Sequence, residues 1–151
     1  MAISPSKPEQ YRALGLSTFA FTLCFAVWTI FSIIGIRISE DLGLSDTQLG
    51  LLMATPILTG SISRLFLGIW TDRYGGRWVF GILMLTTAAC VYLLTFATTY
   101  IMLLVGALGV GLAGGAFIVG VAYTAAWFEP ERQGTALGIF GAGNVGAAVT
   151  N

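Results

Sequence analysis

An arginine set among uncharged residues is the first feature that asks for a chemical account. Arg64 lies in ATPILTGSISRLFLGIWTDR, about seven residues, or roughly 10 Å of helical rise, before the end of a predicted membrane helix. A cation inside such a helix costs about 2.5–3.5 kcal/mol on insertion scales, which makes a functional site the default reading. Gly60 and Ser61 one turn before it, and Leu67 and Gly68 one turn after, give a mostly small face able to line a cavity. The guanidinium is planar, permanently charged and offers two parallel donors, so its chemistry suits a small planar oxyanion better than a lysine ammonium would. No Asp or Glu falls inside any predicted span, which favours a mobile anion over a fixed carboxylate as its partner. Asn144, in GAGNVGAA, supplies a neutral donor among residues too small to block access. Two plainer readings stay open: an arginine paired to a distant carboxylate, and an asparagine bonding one helix to another.

The elements that must position these groups are helices. Hydrophobic residues form 56% of the 151-residue chain and charged residues 9%, against about 25% charged in a soluble domain. A spanning helix needs about 20 mostly apolar residues. The sequence predicts a short cytoplasmic arm over 1–12 and a transmembrane bundle over 13–151, with spans at 13–36, 49–71, 78–97, 101–128 and an incomplete one at 134–151. Ser45 or Asp46 is expected to cap the second helix, and Pro130 to mark a helix boundary. Lys7, Arg12, Arg73, Arg77 and Arg132 fall on one side of this topology and only Arg37 among the opposite loops, which predicts a cytoplasmic N-terminus. Glycine spacing at Gly111 with Gly115 and at Gly134 with Gly138 predicts close helix packing. The fifth segment stops in apolar sequence, so the chain is expected to be truncated in that helix.

Several function classes are disfavoured. The 7 basic and 7 acidic residues cancel, leaving no polybasic surface for nucleic acid. Histidine is absent, and Cys24 and Cys90 sit singly in apolar runs, so neither a metal nor a haem site is expected and no cofactor is implied. No constellation of catalytic residues stands out, and a membrane anchor for a redox enzyme is weakened by the missing histidines.

GIWTDRYGGR, Gly68 to Arg77, resembles the loop signature of the major facilitator superfamily, with Gly68, Asp72, Arg73, Gly75 and Arg77 in place. The resemblance implies an all-α membrane protein built of two related helical bundles, of which this chain is the N-terminal one, with that loop bracing helix ends and helping to set the switch between facing states. PILTGSISR and GIFGAGNVGAAVTN resemble the second helix and the fifth-helix signature of nitrate/nitrite porters. That narrower likeness implies transport of nitrate or nitrite across an inner membrane, with Arg64 and Asn144 on the anion. Phe31, in WTIFS, and Phe117, in GGAFIVG, would flank it, and an opposing arginine would come from the C-terminal bundle. Many proton-coupled members carry an arginine in the fourth helix near Ala107, and its absence argues against a sugar or drug symporter. An exchanger of another small anion, such as a carboxylate, is the alternative.

Overall fold

The computed structural model of the protein describes residues 6–149, so part of the expected arm and the end of the expected fifth span lie outside the described residues. Helices begin where a side chain meets a free backbone donor. Helix α1, Lys7–Leu42, opens on Ser6, whose amide and hydroxyl donate to the Glu9 carboxylate at 2.9 and 2.7 Å, with Pro8 in the first turn. Helix α2, Asp46–Tyr74, takes Ser45 as its cap: the Ser45 amide donates to Gln48 Oε1 at 2.9 Å, and its hydroxyl accepts from the Gln48 amide at 3.4 Å. Helix α3 is Gly76–Leu94, and α4, Tyr100–Ala125, starts under a Thr99 cap. Helix α5 runs from Pro130–Gly141 through Ala142–Val145 to Gly146–Val149. Helix α1 starts at Lys7 rather than Ala13, because hydropathy marks the apolar stretch whereas caps and polar helix formers set the helix end.

Two kinds of irregularity interrupt these helices. At Thr29, with φ −89° and ψ 0°, α1 divides into Lys7–Trp28 and Ile30–Leu42, and the Thr29 hydroxyl donates to the Phe25 and Ala26 carbonyls at 3.1 and 3.2 Å. One tighter 3-10 turn lies inside α4 at Leu112–Gly115 and another inside α5 at Ala142–Val145.

Contacts between helix ends fix their alternation. The Tyr100 hydroxyl donates to the Gln48 carbonyl at 3.1 Å, joining the starts of α4 and α2. Ser17 and Thr124 hydroxyls meet at 3.1 Å, and Tyr11 packs edge-on to Phe128, joining the start of α1 to the end of α4. Gln133 Nε2 donates to the Ala125 and Phe128 carbonyls, closing groups that the end of α4 leaves open. Lys7, Arg12, Arg73, Arg77 and Arg132 therefore collect at one end of the bundle, and Arg37 lies at the other.

Helices α1 to α4 are each long and apolar enough to cross a membrane. Leu65, Ile69, Leu85 and Ile101 face outward, while Ser17, Thr55, Ser63, Thr71 and Thr124 are buried. Most of these hydroxyls donate to a carbonyl three or four residues back, as Thr55 does to Leu51 at 2.7 Å and Thr71 to Leu67 at 2.6 Å. Among the described residues Thr87 Oγ1 is a buried oxygen with no partner.

Without hydrophobic drive between helices in lipid, backbone approach decides their association. A Cβ on Gly111 would lie 2.8 Å from the Pro56 carbonyl oxygen and 3.0 Å from its Cα, and one on Gly115 would strike Leu67. A Cβ on Gly134 or Gly138 would have nothing within 4 Å, so the structure does not bring this second pair against a helix among the described residues. Gly111→Ala should cost about 1–3 kcal/mol by overpacking. Gly134→Ala should leave stability unchanged or higher through better helix propensity. Thermal unfolding of both variants in one detergent checks the contrast, and equal losses would contradict it.

Candidate functional site

The second helix turns one face to α4. Leu52, Thr55, Pro56, Gly60, Ser63, Leu67 and Thr71 are buried at helical spacing along it. Gly60, expected to line a cavity, serves this contact instead: a Cβ on it would sit 2.9 Å from the Gly111 carbonyl oxygen. Arg64 lies beside that face, half-buried. Because α2 continues to Tyr74, the arginine is about 15 Å of helical rise from the helix end rather than about 10 Å, the last turn being the exposed Asp72, Arg73 and Tyr74.

Its surroundings are neutral and well defined. Arg64 Nε donates to the Gly114 carbonyl at 3.1 Å, within the 3-10 turn of α4. The guanidinium carbon lies 5.5 Å from the centroid of the Trp28 ring, within cation–π range. The Trp28 indole N–H donates to the Pro56 carbonyl at 3.1 Å. Among the described residues no carboxylate pairs with Arg64, and its terminal nitrogens have no acceptor.

A run of aromatic rings extends from this point. Phe25 lies 5.4 Å from Trp28 and 5.5 Å from Phe21, and Phe21 stacks on Phe140 of α5 at 4.8 Å. Phe117 joins them, 5.6 Å from Phe21 and 6.1 Å from Phe140, and stays 37% exposed. It is one turn after Gly114, so the arginine's acceptor and this ring share a side of α4.

Phe31 lies elsewhere. It is 2% exposed and packs with Leu52, Leu103, Ala107 and Val110 in a second cluster, separate from the rings around Phe21. Ala107 is completely buried there, so the position of the missing fourth-helix arginine is filled by core packing. Asn144 is exposed, and its side-chain amide has no hydrogen-bond partner among the described residues. Its neighbours make the α5 contact with α1: a Cβ on Gly143 would be 2.5 Å from Phe21 Cδ1, and one on Gly146 would strike the Thr22 carbonyl.

In the loop between α2 and α3, Gly75 holds φ +84° and its amide donates to the Thr71 carbonyl at 2.9 Å, closing the helix. Gly76 abuts Tyr123, 2.7 Å from where its Cβ would lie. Asp72, Arg73 and Arg77 are exposed and form no ion pair among the described residues; Arg73 lies over the Tyr74 ring at 5.7 Å. Gly68 faces Ile118 at ordinary contact distance, 3.4 Å from the place of a Cβ. An open groove of about 820 Å³, lined by Phe66, Leu67, Trp70, Trp78, Ile82 and Leu83, is apolar and does not include Arg64.

Residues 16–150 match the family described as Major Facilitator Superfamily. The chain belongs to that superfamily. This major facilitator chain is 50% identical over 148 residues to the probable nitrate/nitrite antiporter NarK1 of Thermus thermophilus, across 98% of its own length and 33% of the relative's. It is 34% identical over 140 residues to the nitrate/nitrite transporter NrtP of a Picosynechococcus strain, across 92% of the chain and 26% of the relative. The nitrite extrusion protein of Bacillus subtilis is 32% identical over 142 residues, 94% of the chain and 36% of the relative. The chain thus spans about a third of the length of these curated relatives.

Trp28 and Gly114 are the site residues that sequence reading passed over. Trp28 opens the WTIFS stretch from which Phe31 was taken, and it directly precedes the break at Thr29 that only the structure reveals. From its burial, Phe31→Ala should cost about 3 kcal/mol of stability, and Phe117→Ala distinctly less. Chemical or thermal unfolding in detergent measures both; a larger loss at Phe117 would reverse their assignment.

Proposed function

We propose that this chain forms the anion-binding N-terminal bundle of a nitrate/nitrite transporter that works by alternating access. The observation that carries this reading is the state of Arg64, which is deep in α2, with Nε on a backbone carbonyl and no carboxylate partner among the described residues. A permanent cation so placed attracts a small anion, and its planar donors match a trigonal oxyanion. The names of three relatives, all nitrate or nitrite transport proteins, point to the same chemistry. Asn144 adds a neutral donor and Phe117 a flanking ring, while Phe31 supports the bundle from the separate core cluster of Leu52, Leu103 and Ala107. A second bundle supplies the opposing arginine.

The five basic residues at one end support an orientation in which that end, and the N-terminus, face the cytoplasm across an inner (plasma) membrane. Asp72, Arg73 and Arg77, exposed on the loop closed by Gly75, are free to engage the second bundle and bias its inward- and outward-facing positions. Close glycine contacts between α4 and α2, and between α5 and α1, let those backbones slide without interlocking side chains.

In the whole transport protein, Arg64→Lys should preserve membrane insertion but cut nitrate uptake into vesicles at least tenfold, the scale of one lost charged hydrogen bond of about 1.5–3 kcal/mol. Wild-type uptake by that variant would remove the proposal, and preferential competition by organic acids over nitrite would transfer it to a carboxylate exchanger. Asn144→Ala should weaken nitrate binding by about tenfold with little change in melting temperature, since its amide holds no other helix among the described residues. A fall in stability matching the fall in binding would mean a packing role.

A further inference from the structure

We infer that Trp28 is the positioning residue that aims Arg64, restricting the guanidinium to end-on capture of an anion through its two terminal nitrogens. The inference rests on the proposal that Arg64 binds the anion, and concerns how it is held.

The indole is fixed on three sides. Its N–H donates to the Pro56 carbonyl at 3.1 Å, tying it to α2 two turns before Arg64. Gly60 of α2 and Gly114 of α4 clear space for it: a Cβ on Gly60 would lie 3.0 Å from the indole nitrogen, and one on Gly114 2.8 Å. Phe25 packs against it from the preceding turn at 5.4 Å. Trp28 itself ends the first part of α1, directly before the break at Thr29, so the ring is delivered where the helix changes course. This much accommodation exceeds what an apolar filler needs.

What the ring meets is the arginine. Its centroid is 5.5 Å from the guanidinium carbon, and Nε is taken by the Gly114 carbonyl at 3.1 Å. An arginine can grip a two-oxygen ligand along its side edge, using Nε with one terminal nitrogen, or across its end, using both terminal nitrogens. The Gly114 carbonyl blocks the side edge and the indole backs the cation, so the end remains. Gly114 thus performs two tasks: its carbonyl fixes Nε, and its missing side chain admits the indole. A directional, two-pronged contact depends on that aim, whereas attraction of a spherical ion depends on charge alone.

The test measures nitrate affinity and the nitrate-to-halide affinity ratio in the whole purified transport protein, for wild type, Trp28→Leu, Trp28→Phe and Arg64→Lys, with melting temperatures alongside. Trp28→Leu is expected to weaken nitrate about tenfold while leaving bromide competition within about twofold, so that the ratio falls. Equal loss for both ions, or an unchanged ratio, would overturn the inference and leave Trp28 a packing residue. If Trp28→Leu does not fold, Trp28→Phe decides: a ratio lowered about threefold by loss of the N–H anchor supports positioning, and an unchanged ratio overturns it. Arg64→Lys separates the two levels. If it retains wild-type nitrate affinity, the anion-site proposal itself fails; if it loses nitrate while Trp28→Leu behaves as wild type, only the aiming role fails.

Discussion

A half-buried guanidinium inside an apolar helical bundle constrains everything around it. A charge in hydrocarbon must be compensated by geometry, and here the compensation is dipolar: a carbonyl of α4 accepts from Nε and an indole face backs the cation. Both require close backbones, because Arg64 reaches Gly114 only if α2 and α4 nearly touch. Gly60, Gly111 and Gly115 provide that approach, and the outward-facing Leu65 and Ile69 show that the same helix turns its bulk away. The packing of the bundle and the chemistry of the site are one arrangement seen at two scales.

The sequence made the architecture legible because bilayer thickness leaves few choices: apolar runs of sufficient length, short polar connections, and a cap at Ser45. Helix ends were less legible, since α1 carries its winding out to Lys7 and Leu42 through polar residues that hydropathy counts against it. Arg64 stood out for the same reason that Trp28 did not. A charge in an apolar run violates composition locally, whereas an indole becomes informative only when its neighbours across three helices are known. Glycine period alone does not name the partner: Gly134 with Gly138 has the same spacing as Gly111 with Gly115 but meets no helix among the described residues. The α5 contact is made instead by Gly143 and Gly146, around the exposed Asn144.

Phe31 illustrates a further limit. A resemblance transfers a residue's identity, but position within the bundle decides what that residue touches. Here it packs in the core with Leu52, Leu103 and Ala107, while the rings that meet Phe140 of α5 are Phe21 and Phe117. Along α1, buried members of the two clusters, Phe21 and Cys24 of one and Phe31 of the other, lie on either side of the break at Thr29.

The 3-10 turn at Leu112–Gly115 carries a geometric consequence. Four residues wound at three per turn advance about 120° each instead of 100°, and rise about 2.0 Å instead of 1.5 Å. At ideal windings, four such residues would turn the half of α4 that holds Phe117 and Gly120 by about 80° and shift it by about 2 Å relative to a uniform α-helix continuing from Gly111. One local change of winding at the turn that accepts the arginine's hydrogen bond would swing an entire wall of aromatic contacts, with no hinge required at either end of the helix.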